Sequence, residues 1–269
     1  MRLFLIIYLV LITLFTKAQN KSVYKLVWSD EFNKDGSPDS SNWSYETGFV
    51  RNEETQWYQP QNAFCANGKL IIEAKKTNKP NPIYDAASKD WPKNRESIRY
   101  TSACLVSKSH RAWLYGRFIM RAKIDINTGL WPAWWMLGTK KRWPANGEVD
   151  IMEYYRGRLL ANLACAGSDG KAKWFSKRIP VDSTWASHFH IWRMDWDSAS
   201  IALYVDDLLM NKTPLDSLVN KDGSGFNPFK QPEYMLLNLA VGGTNGGDPS
   251  QTKFPKKFEV DYLRVYQKK

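Results

Sequence analysis

Residues 147–154 read GEVDIMEY, and their pattern decides how the chain is interpreted. Acidic and apolar residues alternate, but Glu148 and Asp150 are two positions apart whereas Asp150 and Glu153 are three apart. Because side chains on a β-strand alternate with a period of two, Glu153 should point away from the other two carboxylates. A β-bulge at Ile151-Met152 would insert one extra residue and return Glu153 to their face. The stretch therefore predicts a bulged strand that carries three carboxylates on one side.

Three carboxylates on one strand face meet the requirements of glycosidic bond cleavage, in which one carboxyl protonates the leaving oxygen and another attacks or activates water. Four strand steps place the Cα atoms of Glu148 and Glu153 about 13 Å apart. Their side chains could bring the carboxyls to about 5–6 Å, the separation of a retaining enzyme. An ordinary exposed strand and a calcium site are the alternatives. Like charges this close are costly unless one is protonated or something is bound, which favours a functional site.

The rest of the chain consists of short strand patterns separated by Gly, Pro and Asn turns, with almost no helical periodicity. Such a chain is typical of an all-β sandwich or barrel. Residues 76–98 form a long polar insertion, and loops of that length are often functional. The strand candidates are 70–74, 102–107, 115–124, 148–155, 159–164, 189–196, 201–205, 234–241 and 258–266.

The first 18 residues have the features of a secretory signal peptide: Arg2, an apolar run from Leu3 to Phe15, and Ala18 at a cleavage position. The run is shorter than the ~20 residues of a transmembrane helix. We therefore expect residues 19–269 to be one exported domain, secreted or periplasmic, with no membrane span after cleavage and monomeric. Cleavage removes Arg2 and Lys17, so the formal charge falls from +11 to +9.

Composition narrows the possible partners. The basic residues are dispersed, which argues against a nucleic-acid partner. The chain has 13 Trp and 13 Tyr, side chains that pack against flat sugar faces. The three cysteines lack metal-type spacing and allow one disulfide at most, so buried free thiols are an equal alternative.

The acid-rich strand also resembles the E-[IL]-D-[IF]-x-E signature of glycoside hydrolase family 16 in its bulged, laminarinase-like form. Other segments resemble that family in order along the chain: LVWSDEF (26–32), NEETQWY (52–58), YTSA (100–103), YGR (115–117), WPAWWMLG (131–138), LNLAVGG (237–243) and VDYLRVYQ (260–267). The resemblance implies a jelly-roll β-sandwich of two antiparallel sheets with a concave substrate cleft. It also implies retaining endo-hydrolysis without a catalytic cofactor, with Glu148 as nucleophile, Glu153 as general acid/base and Asp150 tuning the pair.

The same resemblance implies further binding residues. Trp135 and Trp143 would stack on sugars near the scissile bond, with Trp131 as a third aromatic candidate. Three residues would hydrogen-bond sugars upstream of that bond: Arg51, Asn52 and Glu54. A structural calcium ion is possible on the convex side, held by the Asp261 side chain and by backbone oxygens near Glu31 and Gly68.

Departures from the family pattern leave the substrate open. Residues 159–165, LLANLAC, lack the His common in laminarinases, and residues 241–248, VGGTNGGD, lack a Trp that many of them carry. A β-1,3-glucan or mixed-linkage β-glucan is the first expectation. An endo-β-galactanase acting on host O-glycans or algal sulfated galactans is the main alternative. A non-catalytic glycan-binding lectin and a transglycosylase are two further alternatives.

Overall fold

The computed structural model describes residues 24–269, so the predicted signal peptide lies outside the described residues. Seventeen strands and two single-turn helices follow one another in these residues. The first strands are β1 Tyr24–Asp30, β2 Ser44–Tyr45, β3 Gln56–Tyr58, β4 Ala63–Cys65, β5 Leu70–Pro80, β6 Ser97–Ser102, β7 Cys104–Val106, β8 Gly116–Ile124 and β9 Leu130–Gly138. The remaining elements are β10 Glu148–Tyr155, β11 Arg158–Ala166, β12 Ala172–Pro180, α1 Ser183–Ala186, β13 His190–Trp196, β14 Ser200–Val205, β15 Leu208–Pro214, β16 Glu233–Val241, α2 Gly243–Gly246 and β17 Lys256–Lys268.

The strands form two sheets, as expected for a jelly roll. The larger sheet has the order β15-β14-β13-β8-β17-β5-β6-β3, with β1 paired to β17 and β4 to β5. The smaller sheet has the order β12-β11-β10-β9-β16-β7-β2. Pairing is antiparallel except between the short strand β3 and β6, which are parallel. Among residues 24–269, no helix is long and apolar enough to cross a membrane.

The core lies between the sheets and follows from the period-two alternation of their strands. On β9, Trp134 and Met136 are fully buried in the main hydrophobic cluster, whereas Trp131 and Trp135 face the other way. The three cysteines are buried and unpaired with one another, which decides for free thiols over a disulfide.

The sequence patterns located most strands but missed β12. This strand, AKWFSKRIP, is the end strand of the smaller sheet, and most of its side chains are exposed. Only Phe175 and Ile179 pack against the core, and the residues between them are exposed, so little apolar alternation reveals the strand. Residues 76–98 are partly strand, because β5 and β6 extend into both ends of the insertion.

Candidate active site

Strand β10 contains the bulge that the sequence predicts. Asp150 pairs with Asn162 on β11, and the next paired residue, Glu153, stands opposite Leu160, so Ile151-Met152 together oppose a single residue. The register on β9 shifts at the same point. Ile151 and Met152 are both buried in the core cluster, so alternation resumes in shifted phase and Glu153 returns to the face of Asp150.

The three carboxylates line one cavity of about 710 Å³ on the outer face of the smaller sheet. All six predicted sugar-binding residues line it too: Arg51, Asn52, Glu54, Trp131, Trp135 and Trp143. A cavity of this size with aromatic walls and convergent polar groups has the properties of a small-molecule or glycan site. The structure therefore brings together the whole predicted set of catalytic and sugar-binding residues.

Asn162 connects two of the carboxylates, and the sequence analysis did not identify it. Its Nδ2 donates to Asp150 Oδ2 at 3.0 Å and to Glu153 Oε2 at 2.7 Å. Its own Oδ1 is buried without a partner in the described residues. The signal was present in the two-residue turn Arg156-Gly157, which fixes the register of β11 against β10 once the bulge is counted.

Two indoles hold the outer carboxylates. Trp131 Nε1 donates to Glu153 Oε1 at 2.7 Å, and Trp143 Nε1 donates to Glu148 Oε2. The two tryptophans therefore have an orienting role in addition to the stacking expected of them. Trp143 is 52% exposed, so its ring face remains open to a sugar.

Burial is the main electrostatic feature of the triplet. It raises the pKa of Glu153 to about 8, with a further increase from the charge of Glu148, while hydrogen bonds from Trp131 and Asn162 act in the opposite direction. Burial also raises the pKa of Glu148, and a hydrogen bond from Trp143 opposes it. At neutral pH the site therefore holds a protonated Glu153 next to a nucleophile candidate.

Asp150 is the third buried carboxyl of the triplet. Burial, followed by the charges of Glu153 and Glu148, raises the pKa of Asp150 well above its usual range. The hydrogen bond between Asp150 and Glu148 raises the pKa of the first and lowers that of the second. The hydrogen bond with Asp150 therefore favours the ionised form of Glu148, and burial and the charge of Glu148 raise the pKa of Glu153.

The turn at residues 51–54 forms the wall of the cavity beyond β9 and β16. Arg51 forms an ion pair with Glu46, and its guanidinium lies over the Trp135 ring at 5.0 Å. Asn52 and Glu53 have positive φ angles of 56° and 52°. The conformation is uncommon for residues other than glycine, so its neighbours must hold it in place.

A buried chain of hydrogen bonds links this turn to the sheet. Trp135 Nε1 donates to Asn238 Oδ1 at 2.7 Å, and Asn238 Nδ2 donates to the Tyr58 hydroxyl at 3.0 Å. The Tyr58 hydroxyl donates to Glu54 Oε2 at 3.0 Å, and Gln56 donates to the same oxygen at 2.7 Å. Glu54 thereby fixes the orientation of Trp135 and the position of the turn.

Several cavity residues carried no sequence signal that the analysis used. Trp174 and Ser176 come from the unpredicted strand β12, and Asn238 comes from β16. Tyr155 is the last residue of β10, and Asn245 lies in α2. Trp174 and Ser176 reach the cavity through the pairing of β12 with β11, and Asn238 reaches it through the pairing of β16 with β9, which is distant in the sequence.

Of the groups expected around a calcium ion, the Asp261 side chain is engaged in an ion pair. Asp261 Oδ2 accepts from Arg121 at 2.6 Å, so the carboxylate already has a cationic partner. Glu31 and Gly68 were expected to supply backbone oxygens, and the side chain of Glu31 separately accepts two hydrogen bonds from Arg264, at 2.9 and 2.7 Å. Residues 24–269 contain no cluster of three or more His, Cys, Asp or Glu suited to a metal.

Comparisons with known proteins agree with this site. The sequence model of glycosyl hydrolases family 16 matches residues 50–264. A β-glucanase from Rhodothermus marinus is 35% identical over 91% of this chain and 85% of its own length. Glucan endo-1,3-β-glucosidase A1 from Niallia circulans is 32% identical over 90% of this chain but only 38% of its own length.

Two solved structures represent the structural relatives. A structure reported with endo-acting O-glycanases that members of the human gut microbiota use to initiate mucin breakdown has a TM-score of 0.83, is 34% identical, and overlaps 91% of both chains. The laminarinase from Rhodothermus marinus has a TM-score of 0.74, is 35% identical, and overlaps 92% of this chain and 98% of its own. Both are similar along nearly the whole described chain.

Proposed function

The chain belongs to glycosyl hydrolase family 16, and from that premise we propose that it is an endo-acting, retaining hydrolase of a β-1,3- or mixed-linkage β-glucan. The observation that carries the proposal is the bulge in β10, which turns Glu148, Asp150 and Glu153 toward one cavity. The β-glucanase and laminarinase relatives support the choice of glucan.

In the first step we assign Glu148 as the nucleophile. One of its oxygens attacks the anomeric carbon, the glycosidic bond breaks, and Glu153 gives its proton to the departing oxygen. A pKa of about 8 suits Glu153 for this step, since it stays protonated at neutral pH. Asp150 donates a hydrogen bond to Glu148 and so stabilises its ionised form before attack.

In the second step Glu153 acts as the base. Once Glu148 is esterified to the sugar, the negative charge that raised the pKa of Glu153 is gone, so the pKa falls. The hydrogen bonds from Trp131 and Asn162 stabilise the ionised carboxylate. Glu153 then takes a proton from water, the water oxygen bonds to the anomeric carbon, and the bond from that carbon to Glu148 breaks. The product sugar keeps the configuration of the substrate at its anomeric carbon.

A panel of β-linked polysaccharides with sizing of the products tests the proposal. Laminarin or mixed-linkage glucan should yield new reducing ends and mid-sized fragments, and Glu148→Gln should abolish them without loss of folding or binding. Glu96→Gln, an exposed site outside the cavity, is the matched control. Full activity of Glu148→Gln would refute the nucleophile, and products longer than the substrate would identify a transglycosylase. Binding without hydrolysis across the whole panel would identify a lectin.

A second candidate is an endo-β-galactosidase that acts on O-glycans. The TM-score of 0.83 to the structure reported with mucin O-glycanases, against 0.74 to the laminarinase, favours it. Residues 159–165 on β11 lack the His common in laminarinases. Ala164 pairs with Glu148 on this strand, and its methyl group offers a sugar no hydrogen bond. Mucin O-glycans and galactans in the same panel decide between the two candidates.

We further propose that the protein is exported and works as a monomer, with residues 19–269 as a single catalytic domain. The apolar N-terminal segment supports export, and one hydrophobic cluster shared by both sheets supports a single domain. A calcium ion at Asp261 would have to displace Arg121 from that carboxylate, so we propose that the ion pair takes the place of a structural cation.

A further inference from the structure

Strand β12 presents three side chains to the cavity side of the smaller sheet. Trp174 and Ser176 line the cavity, and alternation places Arg178 on the same face. Phe175 points to the opposite face and packs against the core, and alternation places Lys177 on that same face as Phe175. The cavity face of β12 is therefore an aromatic residue, a hydroxyl and a cation in a row.

Register places Trp174 in line with the proposed nucleophile. Glu148 pairs with Ala164, and Ala164 pairs with Trp174. Two strand spacings put the Trp174 backbone about 9–10 Å from that of Glu148, with only a methyl group between them. The indole is 47% exposed, so a sugar ring can lie against it.

Arg178 is in line with the proposed acid/base. Glu153 pairs with Leu160, and Leu160 pairs with Arg178. The same two spacings, about 9–10 Å, separate the backbones, and an arginine side chain can reach across much of that span. The charge of Arg178 acts on the cavity residue Tyr155, whose pKa it lowers against the larger effect of burial.

The two halves of the cleft differ in charge. On the side beyond β9, Arg51 is neutralised by Glu46. The arginines that form ion pairs within residues 24–269 are Arg51, Arg117, Arg121, Arg193 and Arg264, and Arg178 is not among them. Arg178 is exposed, so its charge is available to a ligand. The half of the cleft beyond β11 therefore has an uncompensated cation.

We propose that the β12 side of the cleft binds a glycan unit that carries an anionic substituent, a sulfate ester or a carboxylate, with Arg178 paired to the anion and Trp174 stacked on the ring. This inference rests on the proposed function, because the glycan chain must cross β10 to reach β12. If the turn at 51–54 binds sugars upstream of the scissile bond, this unit lies on the leaving-group side. The anionic substituent would then be found on the fragment that departs first.

The test compares Arg178→Gln with Lys177→Gln, which removes the same charge from the opposite face of the same strand. Substrates are the neutral polysaccharide that the panel identifies and its sulfated and carboxymethylated derivatives. Arg178→Gln should lower the ratio of kcat/KM on a derivative to kcat/KM on the neutral parent about fivefold, the upper range of an exposed ion pair. Lys177→Gln should leave that ratio unchanged. The derivative that responds more identifies sulfate or carboxylate as the preferred anion.

Equal ratios for Arg178→Gln and the unaltered enzyme would overturn the inference, as would equal effects of the two substitutions. Added salt should weaken the preference for the charged derivatives in the unaltered enzyme only. If no polysaccharide is hydrolysed, the proposed function fails separately, and binding of the sulfated and neutral forms to the two variants still decides the role of Arg178.

Discussion

At the scale of single residues, the environments of three neighbouring carboxyls separate their roles. Hydrogen bonds lower the pKa of Glu148 against the larger effect of burial, burial and the charge of Glu148 raise that of Glu153 to about 8, and burial raises that of Asp150 well above its usual range. Strongly shifted pKa values of carboxyls in a cavity are typical of a functional site. The polar neighbours of the triplet therefore control its pH dependence.

Asn162→Leu should change the pH profile. Its hydrogen bond lowers the pKa of Glu153, so its removal should raise that pKa and move the basic limb of kcat/KM from about pH 8 to higher pH. The ionised base of the second step becomes scarcer, so glycosyl-enzyme should accumulate at neutral pH. Initial rates across pH and mass spectrometry of the trapped enzyme measure both effects. An unchanged basic limb with uniformly lower kcat would indicate a purely structural role.

Glu233→Gln should stabilise the protein at neutral pH. Glu233 is fully buried, neither oxygen has a partner in the described residues, and burial, with a smaller contribution from the charge of Glu148, raises its pKa well above the usual range. The folded state must therefore keep a proton that the unfolded chain releases above its ordinary pKa of about 4.3, so stability falls as pH rises from there toward the folded pKa. The substitution removes this loss.

The expected gain for Glu233→Gln is about 1–3 kcal/mol at pH 7 and near zero at pH 4. Urea unfolding of both proteins at the two pH values measures it. A gain of equal size at both pH values would show that protonation of Glu233 is not the cause.

At the scale of elements, the β10 bulge and the turn at residues 51–54 determine the shape of the cleft. The bulge sets which face Glu153 occupies. The turn depends on the insertion, since Arg95 donates to the carbonyls of Glu54 at 2.6 Å and Glu53 at 2.7 Å. The Arg95 guanidinium also lies over the rings of Phe49 and Trp91, at 5.0 and 4.8 Å. The insertion thereby supports the wall of the cleft.

Deletion of Ile151 should abolish hydrolysis. Removing one residue eliminates the bulge, and Glu153 then points into the apolar core instead of the cavity. A carboxyl placed there without partners should also lower stability by about 2 kcal/mol or more. Reducing-end assays and thermal unfolding check both outcomes. Retained activity would show that the phase of the strand does not control Glu153.

Arg95→Lys should weaken substrate binding more than chemistry. A single ammonium cannot replace the two-pronged contact to adjacent carbonyls, so the strained turn that presents Arg51 and Asn52 should loosen. We expect KM on long substrates to rise about tenfold, the effect of 1.4 kcal/mol, with kcat changed much less. Lys93→Ala, an exposed change in the same insertion, is the control. A parallel fall in kcat without a change in KM would contradict this role.

At the scale of the whole molecule, two sheets share one core and leave a cleft on the outer face of the smaller sheet, with ion pairs across the other sheet. Asp261 on β17 and Arg121 on β8 form one of these ion pairs. Stability of this face should therefore not depend on a metal.

Calcium or EDTA should leave the thermal unfolding midpoint unchanged. If calcium bound the folded protein, a free calcium concentration of 100 times its Kd would add about 2.7 kcal/mol to the free energy of unfolding. That gain would raise Tm by about 5–10 °C in a protein of this size. Scanning calorimetry with and without calcium measures the shift. An increase in that range, lost in Asp261→Asn, would show that the cation displaces Arg121.

Much of the fold and the shared face of the three carboxylates could be predicted from the sequence, because these features depend on local alternation. Strand periodicity indicated an all-β chain, and the spacing of Glu148, Asp150 and Glu153 required a bulge whose position the register confirms. Alternation along β9 likewise places Trp131 and Trp135 together on the cavity face. A period of two is a property of the backbone and needs no partner strand.

Tertiary structure alone decided the features that depend on partners distant in the chain. Asn162 bridges two carboxyls and Trp174 enters the cleft only because β11 and β12 pair beside β10. Arg121 donates a hydrogen bond to the carboxylate of Asp261, which lies 140 residues further along the chain. The raised pKa values of the three carboxyls come mainly from burial. Because burial exists only in the folded molecule, the sequence alone could not predict them.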